Sequence, residues 1–172
     1  MKPAALPRSF KILLAGKAVS DFGSWLDFVA LTSFALHITG SGFATGLFMA
    51  TRVCSGAIAG LYNGILTDRY SRKKLLIVAD LARCGALFGL AATPASLSLP
   101  MLLLTGVVLG VCTSLFNVAL GASIPAIVGI EHRSKANGLL TAATSIAMAA
   151  GFSITGPLVS FLGYAGAFFF DG

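Results

Sequence analysis

Charge is what this sequence has least of. Only 10% of its 172 residues are charged, against 56% that are hydrophobic, and mean hydropathy is +0.90. A soluble domain gives about a quarter of its residues to charge, so the composition excludes a soluble fold and requires an integral membrane protein. Cysteine is scarce too. Cys54, Cys84 and Cys112 all fall inside apolar runs, where they serve as small packing residues, and there is no CxxC or His/Cys cluster to hold a metal. His37 and His132 stand alone, near expected membrane surfaces. Lys and Arg number 12 and Asp and Glu only 6, a balance that taken alone would suit nucleic acid. The basic residues, however, lie between or at the ends of apolar runs. Tyr70 is the only aromatic in the main basic cluster, too little for a base-stacking platform. Nucleic acid is therefore not an expected partner. No nucleophile–base pair, phosphate loop or metal constellation is present, so neither an enzyme nor a cofactor is expected.

What the chain does have is long apolar runs. A helix needs about 20 mostly apolar residues to cross the hydrocarbon core. Five segments meet that length, roughly 11–38, 44–67, 75–93, 100–127 and 136–160, and a sixth run begins near Ala165. The expected fold is an all-α polytopic membrane helix bundle of five transmembrane helices plus the start of a sixth. The first segment is too long for a signal-peptide core and contains Asp21 and Asp27, so it is a retained helix. Basic residues occupy the N-terminus (Lys2, Arg8, Lys11, Lys17), the 68–74 loop and the 131–135 loop, whereas the turns 39–45 and 93–100 carry no charge. That alternation predicts a multi-pass protein of the plasma membrane with a cytoplasmic N-terminus.

Within the helices, Gly56, Gly60 and Gly64 recur every fourth residue, and Gly85/Gly89 and Gly106/Gly110 repeat the spacing. Small residues on one face let helix backbones approach closely in lipid, so these glycines argue for a tight bundle. Asp21 lies about 15 Å along the first helix from Lys11, near mid-membrane, with no obvious partner in the sequence. A charge at that depth must face a cavity or a counter-ion. If the first two helices form a hairpin turning near Ser41, Arg52 falls about one helical turn from Asp27, close enough to pair. Such a pair is either a structural ion pair or a proton- or substrate-binding group. Asp21, Asp27 and Arg52 are the candidate central pathway.

The one dense charged cluster, Gly64-Ile65-Leu66-Thr67-Asp68-Arg69-Tyr70-Ser71-Arg72-Lys73-Lys74, joins the second and third segments. Its Gly64-x-Leu66-x-Asp68-Arg69-x-x-Arg72-Lys73 pattern resembles the loop signature of the major facilitator superfamily of secondary transporters, with Ser71 where glycine is usual. Other pieces, in order along nearly the whole chain, are similar to the macrolide- and siderophore-exporting branch of that family. These are Ser20-x-x-Gly23-x-Trp25, the turn 39–42, Asp80-x-x-Arg83, Phe116-Asn117, Ile124-Pro125, Ala136-Asn137, and Gly151 to Gly156-Pro157. Asp80 and Arg83, three apart, are expected to form a local pair near the cytoplasmic surface. The arginine that many drug antiporters carry in helix four has no counterpart in 101–127, which contains no charge.

The resemblance implies the N-terminal six-helix half of a transporter, residues 1–172, incomplete at its C-terminal end. It implies a proton-driven exporter of a small amphipathic, drug- or siderophore-like molecule. Gly64, Asp68, Arg69, Arg72 and Lys73 would form a cytoplasmic latch, with Gly64 allowing close helix approach and Asp68 meeting a helix N-terminus. Gly151, Gly156 and Pro157 would form a helix-five antiporter motif in which proline bends the helix. The partners implied are the lipid bilayer, a small-molecule substrate, and a missing C-terminal half or a second copy. The competing expectation is a non-transporting truncated membrane protein or a bundle that self-associates through its glycine faces.

Overall fold

The computed structural model describes residues 7–93, 98–129 and 131–171, with 98, 126 and 162–171 as backbone alone. Those residues form helices α1 (Arg8–Thr39), α2 (Gly42–Arg69), α3 (Arg72–Ala91), α4 (Ser98–Val128) and α5 (Arg133–Asp171). Each of the five expected apolar segments is a helix. Three are long and apolar enough to cross a membrane, over Gly42–Arg69, Leu99–Pro125 and Arg133–Phe161. Lys2 and residues 94–97 of the expected third turn lie outside the described residues. The expected sixth helix does not separate from the fifth, because α5 continues through the run beginning near Ala165 to Asp171. An interior glycine such as Gly163 costs a helix about 1 kcal/mol, too little to break it without a turn signal.

The turns follow local chemistry. Gly40 adopts φ 60°, a left-handed conformation open to glycine at little steric cost, and its N–H bonds back to the Leu36 carbonyl at 2.8 Å. Ser41 then caps α2, its hydroxyl accepting from the Ala44 N–H, so two residues suffice to reverse the chain. At the α2–α3 turn Ser71 caps α3 through the Lys74 N–H, at φ −66°. The serine that replaces the usual glycine thus needs no left-handed backbone; it works as a helix cap.

Helix pairing is decided by small residues. Gly56 meets Gly110 and Gly60 meets Ser114, so α2 and α4 run parallel in close contact. A Cβ on Gly56 would stand 2.9 Å from the Gly110 carbonyl oxygen, and one on Gly110 would overlap the Arg52 carbonyl oxygen and Ser55 Oγ. α1 and α5 also run parallel, with Gly151 against Trp25, where a Cβ would come within 2.8 Å of the Trp25 Cβ. α3 packs antiparallel on α4. Leu75 and Ala79 cluster with Leu115, Phe116 and Ala119, while Leu87 and Leu90 cluster with Leu102. Large apolar side chains such as Phe43, Val53, Leu61 and Ile146 point outward, as lipid requires.

Gly64 departs from its expected role, since a Cβ there would meet nothing within 4 Å. Straight helices that cross at an angle touch over a few turns and then diverge, and Gly64 lies beyond the Gly56–Gly110 crossing. Gly64→Ala should therefore leave the thermal unfolding midpoint in detergent unchanged or raised. Gly110→Ala should destabilise the bundle by about 1–3 kcal/mol, the cost of overpacking a tight contact. Fluorescence of Trp25, the only tryptophan, reports both. Equal stability of the two variants would refute the close approach at Gly110.

Candidate functional site

Ser20, Ser24 and Asp27 are spaced four and three residues apart, so they line one face of α1. The Asp27 side chain has no exposed surface. Its Oδ1 accepts a hydrogen bond from Arg52 Nη1 at 2.8 Å, the pair anticipated by counting along the hairpin. The Arg52 guanidinium also lies 5.4 Å from the centre of the Phe28 ring, a cation–π distance. Arg52 is held from behind by the glycine contact, because its backbone carbonyl is the group Gly110 lets α4 approach. The helix crossing thereby sets where the guanidinium begins.

Asp27 Oδ2 has no hydrogen-bond partner among the described residues. Arg83 Nη2 of α3 lies 3.8 Å from it, too long for a hydrogen bond. Arg83 was expected to form only a local pair with Asp80 near the membrane surface. That pair exists, with Nη1 at 3.6 Å from Asp80 Oδ1. The guanidinium is nonetheless buried, and it also donates to Ser20 Oγ at 3.3 Å and to Ser24 Oγ. A count from Arg72, the first residue of α3, puts Arg83 roughly 16 Å along the helix, which is core depth. That count and the spacing of Ser20, Ser24 and Asp27 were the signals in the sequence for this cluster.

Asp21 is not without a partner. Lys17 Nζ, four residues back on α1, meets both carboxylate oxygens at 2.8 Å. Thr144 of α5 donates to Oδ2 at 2.6 Å. The local pair follows from i,i+4 spacing on one helix face. The threonine contact requires α1 and α5 side by side, which no spacing in the sequence reveals.

The remaining expected site residues fall elsewhere. Asp68, Arg69, Arg72 and Lys73 are exposed around the α2–α3 turn, and no ion pair engages them among the described residues. In α5, Gly151 makes the close contact with Trp25, whose ring packs on Phe28 and Phe152 at 5.9 and 5.5 Å. Gly156 has open space around it, and Pro157 sits within an unbroken helix. Between α1 and α3 lies a cleft of about 630 Å³ whose lining includes Ser20, Asp80, Arg83 and Cys84.

This geometry, a basic α2–α3 turn followed by a bundle with charges buried in its centre, accords with the comparisons. The Major Facilitator Superfamily matches over residues 13–172. The chain belongs to the Major Facilitator Superfamily. It is 30% identical to a Na(+), Li(+), K(+)/H(+) antiporter of Planococcus maritimus over 84% of this chain and 34% of that protein. It is 28% identical to macrolide efflux protein A of Streptococcus pyogenes over 91% of this chain and 38% of that protein. The chain thus spans roughly a third of the length of the curated relatives it matches. As a member of this superfamily it is a multi-pass membrane protein.

The Asp27–Arg52 contact has a measurable cost of removal. Arg52→Gln leaves a buried carboxylate with only the more distant Arg83, and should destabilise the protein by about 3–5 kcal/mol. Asp27→Asn combined with Arg52→Gln should recover part of that loss, because no charge then stands alone. Unfolding of the two single variants and the double variant in micelles closes the cycle. Strict additivity would mean the pair is not coupled.

Proposed function

We propose that this chain forms part of a secondary transporter that exports a small amphipathic molecule, with proton movement through Asp27. The observation that carries this reading is the placement of Asp27, fully buried on α1 and held by cations from α2 and α3. A carboxylate in that setting stays neutralised by guanidinium groups or by a proton. Any motion that separates α1 from α2 and α3 removes the first option and favours the second. Helix rearrangement is thereby converted into proton uptake and release. Asp21 is neutralised chiefly by Lys17 of its own helix, so it tracks α1 while Asp27 tracks the space between helices. Relatives named for macrolide efflux and for cation/proton antiport support a transport role of this kind.

In this reading all five helices cross the membrane, and the N-terminus, the α2–α3 turn and the α4–α5 turn face the cytoplasm, where their basic residues belong. Asp68, Arg69, Arg72 and Lys73 form a cytoplasmic latch whose counterpart comes from further helices, either of a longer chain or of a second copy. Pro157, which removes one backbone donor within α5, is the point at which that helix yields.

The test is efflux from cells that lack their own exporters and express the gene encoding this chain. Accumulation of a fluorescent amphipathic dye should fall when the protein is present. Asp27→Asn should abolish at least about nine-tenths of that effect, the scale of losing more than 1.4 kcal/mol from a coupled step. Asp21→Asn should reduce it less, since Lys17 and Thr144 hold that residue locally. An exporter that loses nothing in Asp27→Asn would overturn the role of Asp27. Unchanged accumulation with the protein present at normal level in the membrane would overturn transport itself.

A further inference from the structure

The tight helix contacts of this bundle fall into two sets. α2 meets α4 where Gly56 faces Gly110, Gly60 faces Ser114 and Phe48 faces Gly106, and α3 meets α4 where Gly89 faces Met101. α1 meets α5 where Trp25 faces Gly151. Each of these contacts lies inside one set. The ties that cross from α1 to α2 and α3 differ in kind, being polar and mostly charged. Arg52 and Arg83 hold Asp27, Arg83 donates to Ser20 and Ser24, and Ser20 donates to Asp80. Apolar side chains cross as well, with Leu31 of α1 in one cluster with Leu87 and Leu109, and Phe10 in another with Ile124 and Val128. Packed side-chain layers of that sort can slide by small amounts without coming apart.

The two carboxylates of α1 respond to a proton in opposite ways. A guanidinium has donors and no acceptor, so Arg52 and Arg83 hold Asp27 by charge and lose that attraction once the carboxylate is neutral. A hydroxyl both donates and accepts. Thr144 Oγ1 stands 2.6 Å from Asp21 Oδ2 and 3.0 Å from the Leu140 carbonyl oxygen of its own helix, with one hydrogen for the two. To a charged Asp21 it gives that hydrogen. From a protonated Asp21 it accepts one and turns its own back to Leu140, the bond that Thr67 and Thr155 make to the carbonyl one turn before them. The α1–α5 contact is made either way. Lys17 is on α1 itself, so its pair with Asp21 ties no second helix.

We propose that α1 and α5 move as one unit against α2, α3 and α4, that neutralising Asp27 loosens the seam between the units, and that Thr144 straps α1 to α5 throughout. The charged groups facing Asp27 are Arg52 of α2 and Arg83 of α3, the latter also paired with Asp80. α4 has no charged side chain among its described residues, and its one titratable group there, the Cys112 thiol, feels Arg83 and Asp80. α5 carries Arg133 and Lys135 in its first turn and Asp171 at its last residue. The inference rests on the proton reading of Asp27 for its trigger, while the division into units is measurable without a gradient or turnover.

The experiment uses the full chain in phosphatidylcholine nanodiscs, with Cys54, Cys84 and Cys112 changed to alanine and nitroxide labels attached in pairs at exposed positions. Val19→Cys with Ile146→Cys reports within the α1–α5 unit, and Leu61→Cys with Val78→Cys within the other. Val19→Cys with Leu61→Cys, and Ile146→Cys with Val78→Cys, span the seam. Distances are read by pulsed electron paramagnetic resonance. Asp27→Asn removes the charge at unchanged pH. It should move both spanning distances by about 2 Å or more and leave both internal distances within about 1 Å. Adding Thr144→Val should let the Val19–Ile146 distance shift or broaden too, whereas Thr144→Ser, which keeps the hydroxyl, should hold it.

An α1–α5 distance that moves as far as the spanning ones in Asp27→Asn would overturn the division into units. So would an Asp27→Asn protein in which no distance changes. Equal behaviour of Thr144→Val and Thr144→Ser would overturn the strap. Should Asp27→Asn fail to assemble, acidifying the labelled chain with Asp27 intact, read on the same four pairs, decides. Export that requires Asp27 while all four distances change together would sink the two units and leave transport standing. The expected pattern without any export would do the reverse.

Discussion

A charge inside a membrane-embedded bundle cannot be left alone, and the placement of Asp27 follows from that constraint. In the hydrocarbon region an ionised carboxylate costs several kcal/mol unless an opposite charge and hydrogen bonds replace the water it has lost. Asp27 meets this demand with Arg52 at 2.8 Å and Arg83 at 3.8 Å, each from a different helix. The demand in turn restricts the bundle. α1 must lie against α2 at the depth of Arg52 and near α3 at the depth of Arg83, or the charge is stranded. A single acidic side chain therefore registers three helices against one another along their axes.

That registration works only because the backbones can come close. Lipid tails offer helices no hydrophobic drive to associate, so close van der Waals packing must supply it. The Gly56–Gly110 crossing brings α4 onto the Arg52 carbonyl, and the Gly151–Trp25 contact brings α5 onto α1. The glycines and the charges are two halves of one arrangement. The glycines set the distance between helices, and at that distance the guanidinium of Arg52 reaches Asp27. The same contact of α5 with α1 allows Thr144 to reach Asp21.

The two carboxylates of α1 solve the same problem differently. Asp21 relies first on Lys17, four residues away on the same helix, so its neutrality survives any rigid movement of α1. Asp27 relies on neighbours, so its neutrality depends on how the helices sit. A protein that must sense the relative position of its helices needs a group of the second kind. Arg83 extends that dependence outward, since it touches both the sealed Asp27 and the half-exposed Asp80 at the cleft. Interior and cleft are joined through one planar cation with several donors, a task for which a flexible ammonium group would be poorly suited.

Several features were determined by the sequence alone. Apolar length located the five helices, because spanning the hydrocarbon core sets a minimum that few other segments reach. Glycine spacing marked the tight crossings, and hairpin counting paired Asp27 with Arg52, because a two-residue turn fixes the register of adjacent helices. The family was legible in the Gly64–Lys73 pattern and the ordered motifs that follow it. Tertiary structure decided the rest. Thr144 meets Asp21 only because helices distant in sequence become neighbours, which no local spacing encodes, and the depth of Arg83 could be counted along α3 whereas its turn inward to Asp27 could not. Gly64 looked equivalent to Gly56 and Gly60 by periodicity, yet a Cβ there would meet nothing within 4 Å. The run near Ala165 looked like a new helix, yet it continues α5 to Asp171. Period and composition specify what a helix is able to contact, and the crossing geometry of the whole bundle selects which contacts form.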